Sequence, residues 1–494
     1  MVRWARVILA MLVVAGCKMG PDYQRPDTPA KDAWRLAPAS AETIANMAWW
    51  ELLKDQELQK LIKIALTENQ DLRTAVASVE QYRAQVVISK FDLAPSLSYG
   101  GQAFVFQSQG NTSAIPAGGA APIILPNQTG GSGSTTFANQ SGFGSLKWEV
   151  DVWGRLRRSV EASQAQLFAQ EENQRAVILG LVSSVAEAYF DLRSLDLQVE
   201  ITKRTLKSWE ESVRLSQLRY RQGYIPKLDL DRFEAERAGT AAKLAELEKQ
   251  VAQKENQLSA LLGRKPDQIP RGLALTEQPM PPSVPAGLPS ELLQRRPDLL
   301  QAEQELAAAT ANIGVAQALR FPQLALTGAL GGASTQLSSQ SLGPMFIQNA
   351  GGAITGPLFS ATALGYQVKV NEAKTQQASL QYEKAIVTAL KEVEDALIAV
   401  QKTREQREAQ EQQVTALQSA LRLADQRYQG GRASYLDVLT SQRSLFDSEL
   451  ALAKTRQSQL VSVVQLYKAL GGGWSADKPD GNLPDPRSLK ASGQ

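Results

Sequence analysis

The chain has 494 residues, 43% hydrophobic and 21% charged, with no His, one Cys and a formal net charge of +3. Without His there is no imidazole base or imidazole metal ligand, and a lone Cys builds neither a thiolate cage nor an internal disulfide. The near balance of charge gives no basis for a nucleic-acid partner, which needs clustered Lys and Arg. No cofactor or metal is expected; carboxylate, Ser or Lys chemistry remains open to such a chain, but its acids lie mostly along helix faces and it does not read as an enzyme.

The first residues, MVRWARVILAMLVVAGCK, carry two Arg, an apolar run from Val7 to Ala15, and small residues before Cys17. This is the layout of a signal peptide over residues 1–16, and the run is too short to span a bilayer as a helix. Val14-Ala15-Gly16-Cys17 resembles a bacterial lipobox, so Cys17 is expected to become the lipidated first residue of the mature chain. The alternative is an ordinary signal peptide with an incidental Cys. Residues 17–48 then form an irregular lipidated N-terminal segment. No other stretch approaches 18 apolar residues, so no transmembrane helix is expected.

Residues 56–93 read as a helix that Pro95 ends, and SLSYGGQAFVFQ (96–107) as an extended segment. After a loop rich in Gly, Ser, Asn and Thr, residues 141–153 alternate: Leu146, Trp148, Val150 and Val152 on one side, Lys147, Glu149 and Asp151 on the other. Strict alternation predicts a strand with one apolar and one charged face. From Arg155 to Tyr220 there is no Pro and one Gly, with apolar residues in a three-four rhythm that predicts a coiled-coil helix about 100 Å long. A second helix is expected over 227–262. The Pro-rich stretch 263–288 reads as an extended connector. Then the order recurs: helix 289–319, a strand from Pro322, a strand to Phe359, long helix 361–428, turn, helix 434–470. Residues 471–494 form a tail.

The recurrence is a duplication. RLSQLRYRQGYIPKLDL (214–230) returns as RLADQRYQGGRASYLDV (422–438), and the alignment runs without a gap through 263 and 471. A second echo sets residues 69–101 against 296–328, pairing Asp71-Leu72 with Asp298-Leu299 and Pro95 with Pro322. Repeat 1 (49–262) and repeat 2 (289–470) therefore share one pseudo-symmetric structure. Four strands with a lipid-like face suit an outer membrane barrel, yet four cannot close one, and an open edge in lipid leaves backbone groups unsatisfied. Several copies must share one barrel, with the helices forming a hollow bundle below it. A structural coiled-coil envelope lipoprotein is the rival reading, and it has no need of strand pairs placed alike in both halves.

WWELLKDQELQKLIKIALTENQDLRTA (49–75), WEVDVWGRLRR (148–158), LPSELLQRRPDLLQAEQELAAATANIGVAQALRFPQLALTG (288–328) and both RY..G....LD segments resemble the TolC-like outer-membrane efflux factors, most closely the OprM/NodT-type lipoproteins. The resemblance implies a mainly α fold with a membrane β-barrel portion: a homotrimer with an α-barrel of long antiparallel helices and a 12-stranded β-barrel, four strands per chain. It implies a passive outer-membrane duct, anchored in outer-membrane lipid at Cys17 with its helices in the periplasm, working with a periplasmic adaptor protein and an inner-membrane RND-type pump. Small-molecule efflux is the expected role, and a type I protein secretion duct is the nearest alternative.

Residues are assigned on the same footing. Leu421 and Asp425 align with the constriction that closes the periplasmic entrance in that family; Gln217 stands opposite Asp425 in the first repeat, so the duplication did not force a carboxylate there. The alternative is a solvated helix-face Asp. The turns carrying Arg219, Tyr220, Gly223 and Asp229, and Arg427, Tyr428, Gly431 and Asp437, fall where the adaptor docks. The residues themselves allow simpler readings: Gly223 and Gly431 supply backbone freedom for a helix reversal, and Asp229 and Asp437 sit as first-turn carboxylates, with Ser434-x-x-Asp437 matching a capping box. Tyr220 and Tyr428 brace the turn or simply pack. Trp148 and Trp153 fit a membrane-interface girdle.

Overall fold

The computed structural model describes residues 18–26, 55–109, 112–115, 123–126, 134–279, 292–337, 340–358 and 360–472. The signal segment, Cys17, the tail after 472 and parts of the N-terminal segment and connector lie outside the described residues. The chain divides into two compact units. One holds Tyr82–Leu167 and Glu305–Ala378 with the described start of the chain; the other holds Phe168–Gln304 and Ser379–Gln494 with Pro26–Gln81.

The described helices are α1 (Gln56–Glu68), α2 (Gln70–Phe91), α3 (Arg155–Arg221), α4 (Lys227–Leu261), α5 (Leu292–Arg295), α6 (Pro297–Ala318), α7 (Ala361–Gln429) and α8 (Tyr435–Ala469). The helix expected over 56–93 is two helices broken at Asn69, which adopts an extended backbone. Asn69 works on both sides of the break. Its Oδ1 accepts from Leu72 N at 2.9 Å, capping α2, and its Nδ2 donates to Leu261 O at 2.8 Å. The helix expected over 289–319 is likewise broken, with Pro297 at the first position of α6, where a missing N–H leaves no bond unmade.

The strands are β1 (Ser96–Gln109), β2 (Thr112–Ile115), β3 (Ile123–Pro126), β4 (Ser134–Val150), β5 (Gln323–Leu337) and β6 (Gln340–Thr355). Short β2 and β3 pair with each other, while β1, β4, β5 and β6 form one antiparallel sheet in that order. The strand expected to run to Trp153 stops at Val150. Asp151 leaves the alternating pattern because the start of α3 claims it: its carboxylate accepts from Leu156 N at 3.1 Å and Arg157 N at 2.9 Å. Those are two of the donors that a helix start leaves unpaired.

In the larger unit the core gathers Leu58, Ile62, Val185, Tyr189, Phe190, Leu258, Leu460 and Val464, from α1, α3, α4 and α8. The connector is tied to this core by buried Asp55, which caps α1 and accepts from Tyr189 Oη at 2.8 Å, Gln278 Nε2 at 2.6 Å and Leu273 N at 3.2 Å. A buried carboxylate is tolerated because each lone pair meets a donor.

Candidate functional site

Three features carry functional weight, and each is built locally.

The first is the four-stranded sheet. Its register puts Leu97, Leu146, Leu326 and Ile354 on one face, with Tyr99, Leu330 and Phe346 along the same side. Leu97, Tyr99 and Ile354 are 80%, 97% and 75% exposed. The opposite face, at the end joined to the helices, carries Ser96, Ser98, Ser145, Lys147, Thr327 and Asn349. Burial of apolar surface dominates folding, so an apolar face bared to water across a four-stranded sheet is unfavourable, whereas against hydrocarbon it is satisfied. Strands β1 and β6 are the edges and pair outward with no strand among the described residues. Trp148 donates to Leu93 O at 3.0 Å, and Trp153 to Pro322 O at 2.7 Å while stacking on Phe321. Both indoles thus sit where strands meet helices.

The second feature is the pair of turns joining α3 to α4 and α7 to α8. Gly223 and Gly431 adopt φ of +77° and +68°. Gly223 N donates to Tyr220 O and Tyr224 N to Arg219 O, both at 2.9 Å; Gly431 N donates to Tyr428 O at 3.0 Å and Arg432 N to Arg427 O at 2.8 Å. This double bond satisfies the last helix carbonyls and requires the left-handed residue that Gly provides. The expected capping box is not formed. Ser434 caps with no side-chain hydrogen bond, and only the backbone bond of Asp437 N to Ser434 O, at 3.2 Å, closes that turn. Asp229 and Asp437 do occupy the first turns of α4 and α8, where a carboxylate complements the helix dipole, and Asp229 pairs with Arg232 at 3.4 Å.

Around these turns the two repeats touch unequally. Arg219, from the first, donates to the Tyr428 hydroxyl of the second and lies over its ring, 5.4 Å from the centroid. Tyr428 meets Tyr435 edge-on at 5.1 Å, and Tyr435 lies 4.0 Å from Phe233 of the first repeat. Trp209, Val213 and Leu439 complete the cluster. Burial pushes the Tyr435 hydroxyl well above its ordinary pKa, so it stays neutral. Gln217 donates to Glu234 on α4 at 3.3 Å, whereas its counterpart Asp425 accepts from Gln429 on its own helix at 2.7 Å. Leu421 lies one turn before Asp425, half-buried, while Arg427 and Tyr220 are exposed. Sequence reasoning missed Phe233 and Tyr435, because no periodic signal shows which aromatic residues of distant segments meet.

The third feature is the start of the described chain. Arg158, 1% exposed, donates from Nε to Met19 O and from Nη2 to Gly20 O, each at 2.9 Å, and pairs with Asp22 and Glu161. Gly20 lies against Gly314, and a Cβ on either would meet the other strand of chain at 2.5 Å or closer. Residues 18–22 are thus strapped onto the first turn of α3 and onto α6. Arg158 reads in sequence as one more surface charge of WGRLRR, and only the strap reveals its use.

The outer membrane efflux protein family matches residues 61–264 and 288–472. The chain belongs to that family. It is 36% identical over 469 residues to the toluene efflux pump outer membrane protein TtgC of Pseudomonas putida, covering 94% of each chain. It is 32% identical over 468 residues to the cation efflux system protein CusC of Escherichia coli strain K12, covering 94% of this chain and 97% of that one. Its structure superposes on the open state of the MtrE outer membrane channel of Neisseria gonorrhoeae with a TM-score of 0.78 at 30% identity, over 92% of this chain and 98% of that one. This efflux protein is therefore an outer-membrane channel of the TolC-like kind, a passive duct and not an enzyme, whose fold joins an α-barrel portion to a β-barrel portion.

Proposed function

We propose that three copies of this efflux protein close one 12-stranded barrel and one helical tunnel, and that this trimer exports small molecules handed over by an RND-type inner-membrane pump through a periplasmic adaptor. The observation that carries the reading is the sheet: near the helices it has one apolar and one polar face, and its two edges pair with no further strand among the described residues. In lipid, unpaired edges leave backbone groups unsatisfied, and only closure with further strands removes them. Relatives that share the whole chain length are named for toluene, solvent and cation efflux, which supports small solutes as cargo. Repeats 49–262 and 289–470 each supply two strands and one hairpin of long helices.

In this reading Cys17 carries the lipid anchor, and the strap at residues 18–22 follows it directly. Adaptor contacts involve the turns at Arg219, Tyr220, Gly223 and Asp229 and at Arg427, Tyr428, Gly431 and Asp437. Leu421 and Asp425 form the constriction, three Asp425 carboxylates making an anionic ring. The test combines migration and current. Purified full-length protein should run as an SDS-resistant oligomer that heating converts to monomer, give discrete currents in planar bilayers, and yield an acylated Cys17 peptide by mass spectrometry. A heat-insensitive monomer without currents sinks the trimeric duct, and an unmodified Cys17 sinks the anchor alone.

A further inference from the structure

The strand register sorts side chains onto two faces, and the character of the faces changes along the sheet. Near the helices the polar face is rich in Ser, with Lys147 and Glu149, the only charged residues of the four long strands. Toward the hairpin ends that same face carries no charge and gains large apolar side chains among uncharged polar ones. One row across it is Gly100, Phe143, Gly331 and Ile347; the next runs Gln102, Ser141, Ala333 and Met345, and Phe104 opens the one after, opposite Asn139. Meanwhile the other face, apolar near the helices, turns to Gln107, Thr136, Gln140, Ser334 and Gln336.

Half of this exchange has an ordinary cause. A barrel wall that rises out of lipid meets water and needs a polar outside. Nothing about lipid or water asks for exposed Phe, Met and Ile side chains inside at the same level. The local packing is also specific. A Cβ on Gly100 would lie 3.3 Å from the Phe143 ring, and one on Gly331 would lie 2.7 Å from the Phe143 Cα and Cβ. The two glycines let the ring lie along the sheet with its face open, 42% exposed, instead of standing across the passage. Ile347 and Met345 beside it are 39% and 60% exposed. Rings and a thioether held this way offer flat, polarisable contact area without charge.

We propose that Phe143, Phe104, Met345 and Ile347 form an apolar collar inside the distal half of the barrel, a transient binding site for aromatic or aliphatic portions of solutes leaving the duct. The proposal rests on the channel reading, which turns the apolar face to lipid and this face to the lumen. Since no charged side chain stands at the collar, it discriminates by apolar surface and not by charge.

The test uses full-length protein in planar bilayers with two monovalent probes, tetraphenylphosphonium and tetramethylammonium. Tetraphenylphosphonium should produce current blocks in the wild type, and replacing Phe104 and Phe143 together by Ala should shorten them about tenfold. Tetramethylammonium should behave alike in both proteins. Phe346→Ala, on the lipid side of the row next to Phe143, should leave the tetraphenylphosphonium blocks unchanged. If the double variant yields no heat-modifiable oligomer, Phe143→Ser alone, which removes the exposed apolar surface of the ring, should still shorten the blocks. Equal block times in wild type and in whichever variant assembles overturn the collar. A wild type without discrete currents overturns the channel reading itself, a distinguishable failure.

Discussion

Two pairs of helix turns in this protein share one backbone and differ in everything around it. At the ends of α3 and α7, Gly223 and Gly431 hold φ of +77° and +68°; at the ends of α4 and α8, Gly263 and Gly471 hold +72° and +76°. All four close with the same pair of carbonyl bonds. A Cβ added at Gly223 or Gly431 would meet nothing within 4 Å. At Gly263 it would lie 2.2 Å from Glu68 O and 2.7 Å from Glu68 C, and at Gly471 it would lie 3.1 Å from Arg296 Cγ. The α4 and α8 ends are packed junctions, and the α3–α4 and α7–α8 turns are open surface. A turn that must rearrange or receive a partner is served by the second kind, and a junction that must stay fixed by the first.

The comparison makes its largest prediction at Gly263. Gly263→Ala sets a methyl against backbone that cannot swing aside, and should lower stability by more than about 3 kcal/mol, read as loss of the heat-modifiable oligomer. Gly431→Ala meets open space, so only the left-handed φ is penalised, by about 1 kcal/mol, and oligomers should survive. If Gly431→Ala proves as damaging as Gly263→Ala, the division into fixed and open turns is wrong.

The next pair of variants tests how the duplication built its fixed ends. In the aligned repeats Asn69 corresponds to Arg296, and Leu261 to Ala469. Asn69 Nδ2 donates to Leu261 O at 2.8 Å, and Arg296 Nη1 donates to Ala469 O at 2.9 Å. One clasp has thus been kept with two chemistries. Arg296 is 6% exposed and also pairs with Asp298 and Glu392, each at 2.7 Å. Those carboxylates are about half exposed, so on loss of Arg296 they return to water. Arg296→Met should therefore lower stability by about 2–3 kcal/mol, below the range for stranding a buried charge. Asn69→Ala, which removes a cap and one neutral hydrogen bond, should lower it by about 1–2 kcal/mol. Chemical denaturation of the solubilised protein orders the two, and the reverse order would show that the Arg clasp is mostly surface.

Much of this architecture was legible in the sequence. The long helices announced themselves through apolar periodicity without Pro, and α7 and α8 end within a residue of where the pattern ends them. The sheet was legible too, since alternation at 146–150 gave its faces. What escaped depends on contacts between distant segments. Asn69 interrupts a helix that its neighbours favour, because its side chain is needed at Leu261. Asp151 continues an alternating pattern yet caps α3. Ser434 matches a capping box by spacing and makes no side-chain bond. At the candidate turns the glycines and first-turn carboxylates could be read off, whereas the Arg219, Tyr428, Tyr435 and Phe233 cluster could not, since it joins residues from both repeats. The difference between repeats was visible as a mismatch at 217 and 425, but its meaning needed the partners that each residue makes.

That cluster gives a smaller effect. Tyr428→Phe keeps the ring against Tyr435 but removes the acceptor of Arg219, and should lower stability by about 1 kcal/mol. If this contact holds the two hairpins together at their open turns, bilayer currents should show a higher open probability. A stability loss as large as that of Arg296→Met would place Tyr428 among the fixed junctions after all.

The smallest stability effect, and the sharpest separation of stability from function, belongs to Asp425. Its bond with Gln429 joins positions four apart on the same helix face, where such pairs contribute about 0.5 kcal/mol or less. Gln217, its counterpart, spends its side chain on Glu234 across the hairpin. A residue that does so little for its own chain is free to act on what passes. Asp425→Ala should leave oligomers and denaturation midpoints unchanged while raising leak current and weakening preference for cations, because in the proposed trimer three carboxylates around an axis would concentrate field on the passage. Gln217→Ala should change neither current nor ion preference. Unchanged conductance and selectivity in Asp425→Ala would return that carboxylate to the solvated face of α7, and with it the idea that the two open turns differ in role.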